Sequence, residues 1–156
     1  MRRRASLTAA LFFLGCSGSG GALPAPESGA VAVAPETALS FHGRANDFYE
    51  RLIQRRFNTL ETFNDLVLRE HFETLDSFFD YYADLAEKLH RANFDKSRPR
   101  TVVVEEFVFE DPGRVRVQVR FTGDDDRPLR PDKTELVRRD LWERKNGSWW
   151  VRPAKL

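Results

Sequence analysis

The chain has 156 residues, 41% of them hydrophobic, and sets 25 Lys and Arg against 24 Asp and Glu for a formal net charge of +1. A balance this close to neutral, with no clustered basic field, argues against a nucleic-acid partner. A single cysteine rules out an internal disulfide and a cysteine-based metal cluster.

Met1-Arg2-Arg3-Arg4 opens the chain, and a short, mostly apolar run from Ala5 to Leu14 follows. A charged start, an apolar stretch and a small residue before a cut are the parts of a secretory signal peptide. As a helix the run rises about 15 Å, half of a roughly 30 Å hydrocarbon core, and so is too short for a permanent span. It closes on Phe13-Leu14-Gly15-Cys16, which resembles the signal of a bacterial lipoprotein and departs from it at Phe13, where leucine is usual. The resemblance implies cleavage before Cys16 and lipidation of that residue with palmitate-type chains. Because Ser17 rather than aspartate follows, it also implies an outer-membrane destination, facing the periplasm, in a Gram-negative host. Each buried CH₂ adds about 0.8 kcal/mol, so two or more acyl chains would hold the protein on the membrane almost irreversibly. An ordinary signal peptide cut near Ala22 or Ala25 is the other reading of the same stretch.

Loss of residues 1 to 15 removes three arginines and no acid, leaving 22 basic against 24 acidic side chains, a balance of −2. Residues 16 to 40 comprise Cys16 and a Gly, Ser, Ala and Pro rich segment without an aromatic residue, which cannot bury a core and reads as a flexible tether. Its reach is about 27 Å. From Phe41 to Leu156 aromatic and charged residues interleave throughout, and this length suits one domain with one core.

The first half of that domain carries a helical period. Tyr49, Ile53, Phe57 and Leu60, with Phe48 and Leu52 beside them, form an apolar stripe. Asn58-Thr59-Leu60-Glu61 has the residues of a capping box, so a second helix is expected to restart there. A further helix is expected from about Thr74 to Ala92, with Leu75, Phe78, Phe79, Tyr82, Ala86 and Leu89 on one side and Asp76, Asp80, Asp84, Glu87, Lys88 and Arg91 largely elsewhere.

The second half alternates. Thr101 to Glu110 is rich in Val and Phe, and Arg114 to Thr122 sets Val115, Val117, Val119 and Phe121 on one face against Arg116, Gln118 and Arg120 on the other. Asp111-Pro112-Gly113 turns between them. After a charged loop from Gly123 to Lys133 comes a third strand, Glu135 to Arg144, and Asn146-Gly147 makes a tight hairpin into Ser148 to Pro153. That turn places Trp142 opposite Val151 and Arg144 opposite Trp149, so Trp142, Trp149 and Val151 share a face and Trp150 points the other way. Helices first and an antiparallel meander of about four strands afterwards is an α+β arrangement.

The amphipathic start Asp47-Phe48-Tyr49 to Phe57, the aromatic helix around Phe78 to Leu89 and the ending Trp142 to Val151 with its Asn-Gly turn resemble the nuclear transport factor 2-like (SnoaL-like, cystatin-like) cone fold over nearly all of residues 41 to 156. The resemblance implies helices packed on a curved sheet. It implies no single activity, because that superfamily holds pocket enzymes, ligand carriers and assembly subunits.

Asp140 is the internal acid candidate: it shares the Trp142 face with Arg138 and is expected near Tyr82, where burial could tune it for proton transfer. An ion pair with Arg138 at the rim of the sheet is the plainer expectation. His42, His71 and His90 share no ligand spacing, and Asp124-Asp125-Asp126 lacks the calcium-loop pattern and has Arg127, Arg130 and Lys133 beside it. Neither a metal nor a cofactor is expected. Phe78, Phe79, Tyr81 and Tyr82 cannot all face one way at about 100° per residue, so with Arg138, Asp140, Trp142 and Trp149 they mark a possible pocket or partner contact. The expected function is a non-catalytic envelope lipoprotein that binds an apolar small molecule or a protein partner. The alternatives are a small isomerase or dehydratase using Asp140 and Tyr82, and a structural subunit of an envelope assembly.

Overall fold

The computed structural model describes residues 31–129 and 132–153; the expected signal segment, Cys16 and the expected tether up to residue 30 lie outside them. The first helix, α1, spans Pro35–Ile53. Proline at its start has φ already set for a helix and lacks an N–H that would go unbonded there. The helix therefore begins ahead of Phe41, because Pro35 to Ser40, though without an aromatic residue, suit a first helical turn. Phe41, Ala45, Phe48, Tyr49 and Leu52 form its buried face.

The helix stops at Ile53, which corrects the expected stripe through Phe57 and Leu60. The chain leaves the helix at Gln54, and beyond it Asn58 is left-handed with φ of 66°; Phe57 is buried from this irregular segment while Leu60 is 79% exposed. A helix does restart where the capping residues stand. The cap is Thr59 rather than Asn58: its hydroxyl accepts from Thr62 N–H and opens α2, Leu60–Phe63. Asp65 caps α3, Leu66–Arg69, in the same way through Leu68 N–H. Thr74 caps α4, Leu75–Arg91, whose last turn carries Lys88, His90 and Arg91 at the negative end of the helix dipole.

The sheet has four antiparallel strands in sequence order: β1 Thr101–Asp111, β2 Arg114–Asp124, β3 Lys133–Lys145 and β4 Ser148–Arg152. Breaks in register at Val104/Glu106 and Phe109/Asp111 bulge β1 and bend it. Val115, Val117, Val119 and Phe121 are fully buried, as the strict alternation of β2 requires. Asn146 and Gly147, with φ of 52° and 82°, form a tight turn with positive φ at both central residues. It sets Trp142 opposite Val151 and Arg144 opposite Trp149. The core lies between α1, α4 and the inner face of the sheet. Phe41 there meets Trp142 at 5.7 Å and Trp149 at 5.1 Å between ring centroids, and Phe48 meets Trp142 at 5.5 Å.

Candidate functional site

Asp140 sits mid-strand in β3 on the inner face and is 2% exposed. One of its oxygens accepts from Tyr49 Oη at 2.9 Å and from Tyr81 Oη at 3.0 Å. The other accepts from Arg138 Nε at 2.7 Å. Trp142 Nε1 points at Tyr49 Oη at 3.4 Å, and the Arg138 guanidinium lies 4.4 Å from the centre of the Tyr81 ring. Arg138 Nη1 stands 3.2 Å from Asp84, which Lys88 also holds at 2.8 Å. Three elements thus bring a carboxylate, two phenols and a guanidinium to one buried point.

The electrostatics follow from that burial. Desolvation, followed by the negative charge of Asp140, pushes the Tyr49 hydroxyl well above the usual tyrosine value. Burial raises Tyr81 as well, and Asp140 adds to this while Arg138 opposes it. Both phenols therefore keep their protons and donate hydrogen bonds to Asp140. Burial disfavours the Arg138 charge, but Asp140, Tyr81 and Asp84 more than offset it, so Arg138 stays protonated more firmly than a free arginine.

Arg138, Asp140 and Trp142 share the buried face as expected, but Tyr82 does not join them. The Tyr82 hydroxyl bonds the backbone of Thr59 instead, accepting from its N–H at 3.0 Å and donating to its C=O at 3.2 Å. One residue is 100° of helix, and Phe78, Tyr81, Leu85 and Leu89, spaced by three and four, are the stripe that faces the sheet. Tyr49 and Asp84 were missed for related reasons. Tyr49 looked like any core aromatic of α1, and Asp84, expected on the outer side of its helix, is 8% exposed. The spacing from Tyr81 to Asp84 to Lys88 was the available signal.

The surplus aromatics of α4 are covered by this chain. Phe79 stacks on Phe63 of α2 with centroids 4.4 Å apart and rings 6° from parallel, and Phe63 also meets Tyr82 edge-on at 5.5 Å. The helix is buried on two sides. Trp149 packs between Phe41 and Phe109 and borders an open surface cleft beside Arg44 and Asp47. Asp124 is held by Arg100 and Lys133, and Asp125 by Arg127, so those carboxylates are met by cations of their own loop and its neighbours. Among the described residues no group of three or more His, Cys, Asp or Glu is placed to hold a metal ion.

No family model and no curated protein matches this chain. Among solved structures, a Campylobacter jejuni protein provisionally described as an NTF2-like transpeptidase aligns over 76% of this chain and 97% of its own, with 14% identity and a TM-score of 0.34. At that score the likeness carries no argument about this chain. The α+β description rests on its own helices and sheet.

Proposed function

We propose that the chain is a lipid-anchored protein of the bacterial cell envelope whose domain binds a protein partner and performs no chemistry itself. The closure of Asp140 carries this reading. Its side chain is 1% exposed and both oxygens are engaged from within, so a substrate proton reaches it only if the core opens. The packing of Phe41, Phe48, Trp142 and Trp149 ring against ring supports a partner on the surface over an apolar guest inside, since a guest would have to displace those rings. The closing Cys16 of the signal segment supports the anchor, and Ser17 after it the outer membrane.

A second reading is a proton-transfer enzyme, favoured by one observation: a carboxylate between two tyrosine hydroxyls is an acid-base constellation once exposed. It would use Tyr49 and Tyr81 rather than Tyr82. Asp140→Asn separates the two readings, because it keeps the shape and removes the charge. The full-length protein and this variant are incubated with long-chain fatty acids, phospholipids and steroid ketones, and binding and turnover are followed together. The expected result is neither binding nor turnover in the unaltered protein. Turnover that disappears in a folded Asp140→Asn overturns the partner reading. For the anchor, a palmitate analogue should label the protein and leave Cys16→Ser unlabelled and released from membranes; label retained by the variant overturns it.

A further inference from the structure

The two edges of the sheet are unequal. At one, the chain before α1 reaches β1, where Val31 N–H donates to Phe109 C=O at 2.9 Å. At the other, β4 pairs only with Leu141 to Lys145, so among the described residues the first half of β3 has β2 on one side and no strand on the other. Parity fixes which groups this free edge presents. Arg144 N–H donates to Gly113 C=O at 2.7 Å, so even-numbered residues of β3 bond toward β2 and odd-numbered ones turn their N–H and C=O away from it. Leu141, Glu143 and Lys145 stand opposite β4 with theirs. Among the described residues, no backbone bond reaches Glu135, Val137 or Arg139 from that side.

These three side chains share the outer face of the sheet. Val137 is 44% exposed. Arg139 donates to Gln118 Oε1 at 3.2 Å and has no carboxylate beside it among the described residues. Glu135 meets Arg120 at 2.6 Å with its side chain still 52% exposed. Two open clefts run along the edge, one past Leu136, Val137 and Arg138, the next past Arg139, Asp140 and Leu141. Inward-pointing charge often blunts such an edge, but here Arg138 and Asp140 neutralise each other.

We propose that this edge pairs antiparallel with the same edge of a second copy of the chain, about a two-fold axis at Val137. The charges choose the register. The odd-numbered positions of this half-strand read Lys133, Glu135, Val137, Arg139, and only the register centred on Val137 sets Arg139 opposite an acid, Glu135 of the second copy. The same operation sets Glu135 opposite the second copy's Arg139, as a closed isologous contact requires. All these positions turn their backbone groups to the edge, so each opposed pair exchanges both of its N–H···O=C bonds, and the Val137 side chains meet at the centre. Registers centred one or two residues away put Arg139 against Lys133, Val137, another Arg139 or position 131, ahead of the start of β3. The paired sheets become one continuous sheet through both copies. This association is separate from the partner reading above, since a monomer could still bind a partner and a dimer need not.

The test uses full-length protein in detergent, two differently tagged copies expressed together, and capture on one tag. Unaltered copies are expected to be captured together. Arg139→Glu in both copies, or Glu135→Arg in both, places like charges opposite each other and should lower co-capture by roughly tenfold. Arg139→Glu in one copy with Glu135→Arg in the other restores opposite charges at both pairs and should bring it back. Both positions are on the exposed outer face, a circular dichroism melt establishes that each variant is folded, and recovery in the mixed pair shows the same. Absence of co-capture in the unaltered protein, indifference to the single reversals, or no recovery in the mixed pair of folded variants each overturns the proposal. None of these results bears on Asp140 turnover or on ligand binding, so failure here leaves the partner reading standing.

Discussion

Gly123, near the end of β2, is a residue whose missing side chain matters more than most side chains present. A Cβ built there would lie 2.5 Å from Phe94 Cδ1, 2.8 Å from Cε1 and 3.1 Å from Arg98 C=O. Phe94 is buried, so the ring cannot swing out without uncovering apolar surface. Gly123→Ala is therefore expected to destabilise the domain by about 1 to 3 kcal/mol as an overpacking change, read from a denaturant melt. A loss below about 0.5 kcal/mol would mean that ring and strand do not touch. Nothing in the sequence announced this contact, since it joins residues that meet only after the turn beyond α4 has formed. Asp140 was legible, because alternation along a strand assigns faces one residue at a time. The tyrosine beside it was not, because neighbouring helical positions differ by 100° and the wide aromatic stripe of α4 allowed either Tyr81 or Tyr82.

At the scale of elements, strands proved easier to read than helices. The period of β2 and the Asn146-Gly147 turn left one consistent register, and the strands run as expected to within a few residues. Helix α1 was harder at both ends. It starts inside a segment whose composition resembles a tether, and it ends at Ile53, short of Phe57 and Leu60, to which the apolar spacing runs on. The hairpin register has an energetic consequence at Trp149, whose ring is enclosed by Phe41 at 5.1 Å and Phe109 at 6.2 Å. Trp149→Ala should cost about 3 to 5 kcal/mol in the same melt. A loss under about 1 kcal/mol would place the buried face on the Trp150 side, contrary to the pairing of Arg144 with Trp149.

For the molecule as a whole, the arrangement of helices on a meander was legible because each half has its own hydrophobic period, whereas function was not, because a buried acid among aromatics reads alike as core or catalyst. One residue ties the layers together and makes the fold sensitive to pH. His71, just beyond α3, is 3% exposed and packs on Phe48 at 5.2 Å and Trp142 at 6.5 Å, while its carbonyl accepts Val151 N–H of β4 at 2.9 Å. Burial, followed by the nearby Arg44 cation, holds the imidazole below its ordinary value, against the pull of the Val67 carbonyl. The folded state therefore keeps the ring neutral where the unfolded chain, titrating near 6.5, already binds a proton. Its contribution is complete above about pH 6.5 and is lost as pH falls from there toward the lower folded value, at up to about 1.4 kcal/mol per pH unit. Asp65 is shifted down as well: its burial is outweighed by Leu68 N–H, Arg51 and Arg55, which hold it below 3.8, so its loss comes at more acid pH. Between about pH 7 and pH 5 the denaturant midpoint should fall in the unaltered protein and fall measurably less in His71→Gln. Parallel curves for the two proteins across that window would show that the imidazole titrates equally in the folded and unfolded states, and would remove His71 as the acid-sensitive tie between α3, α1 and the sheet.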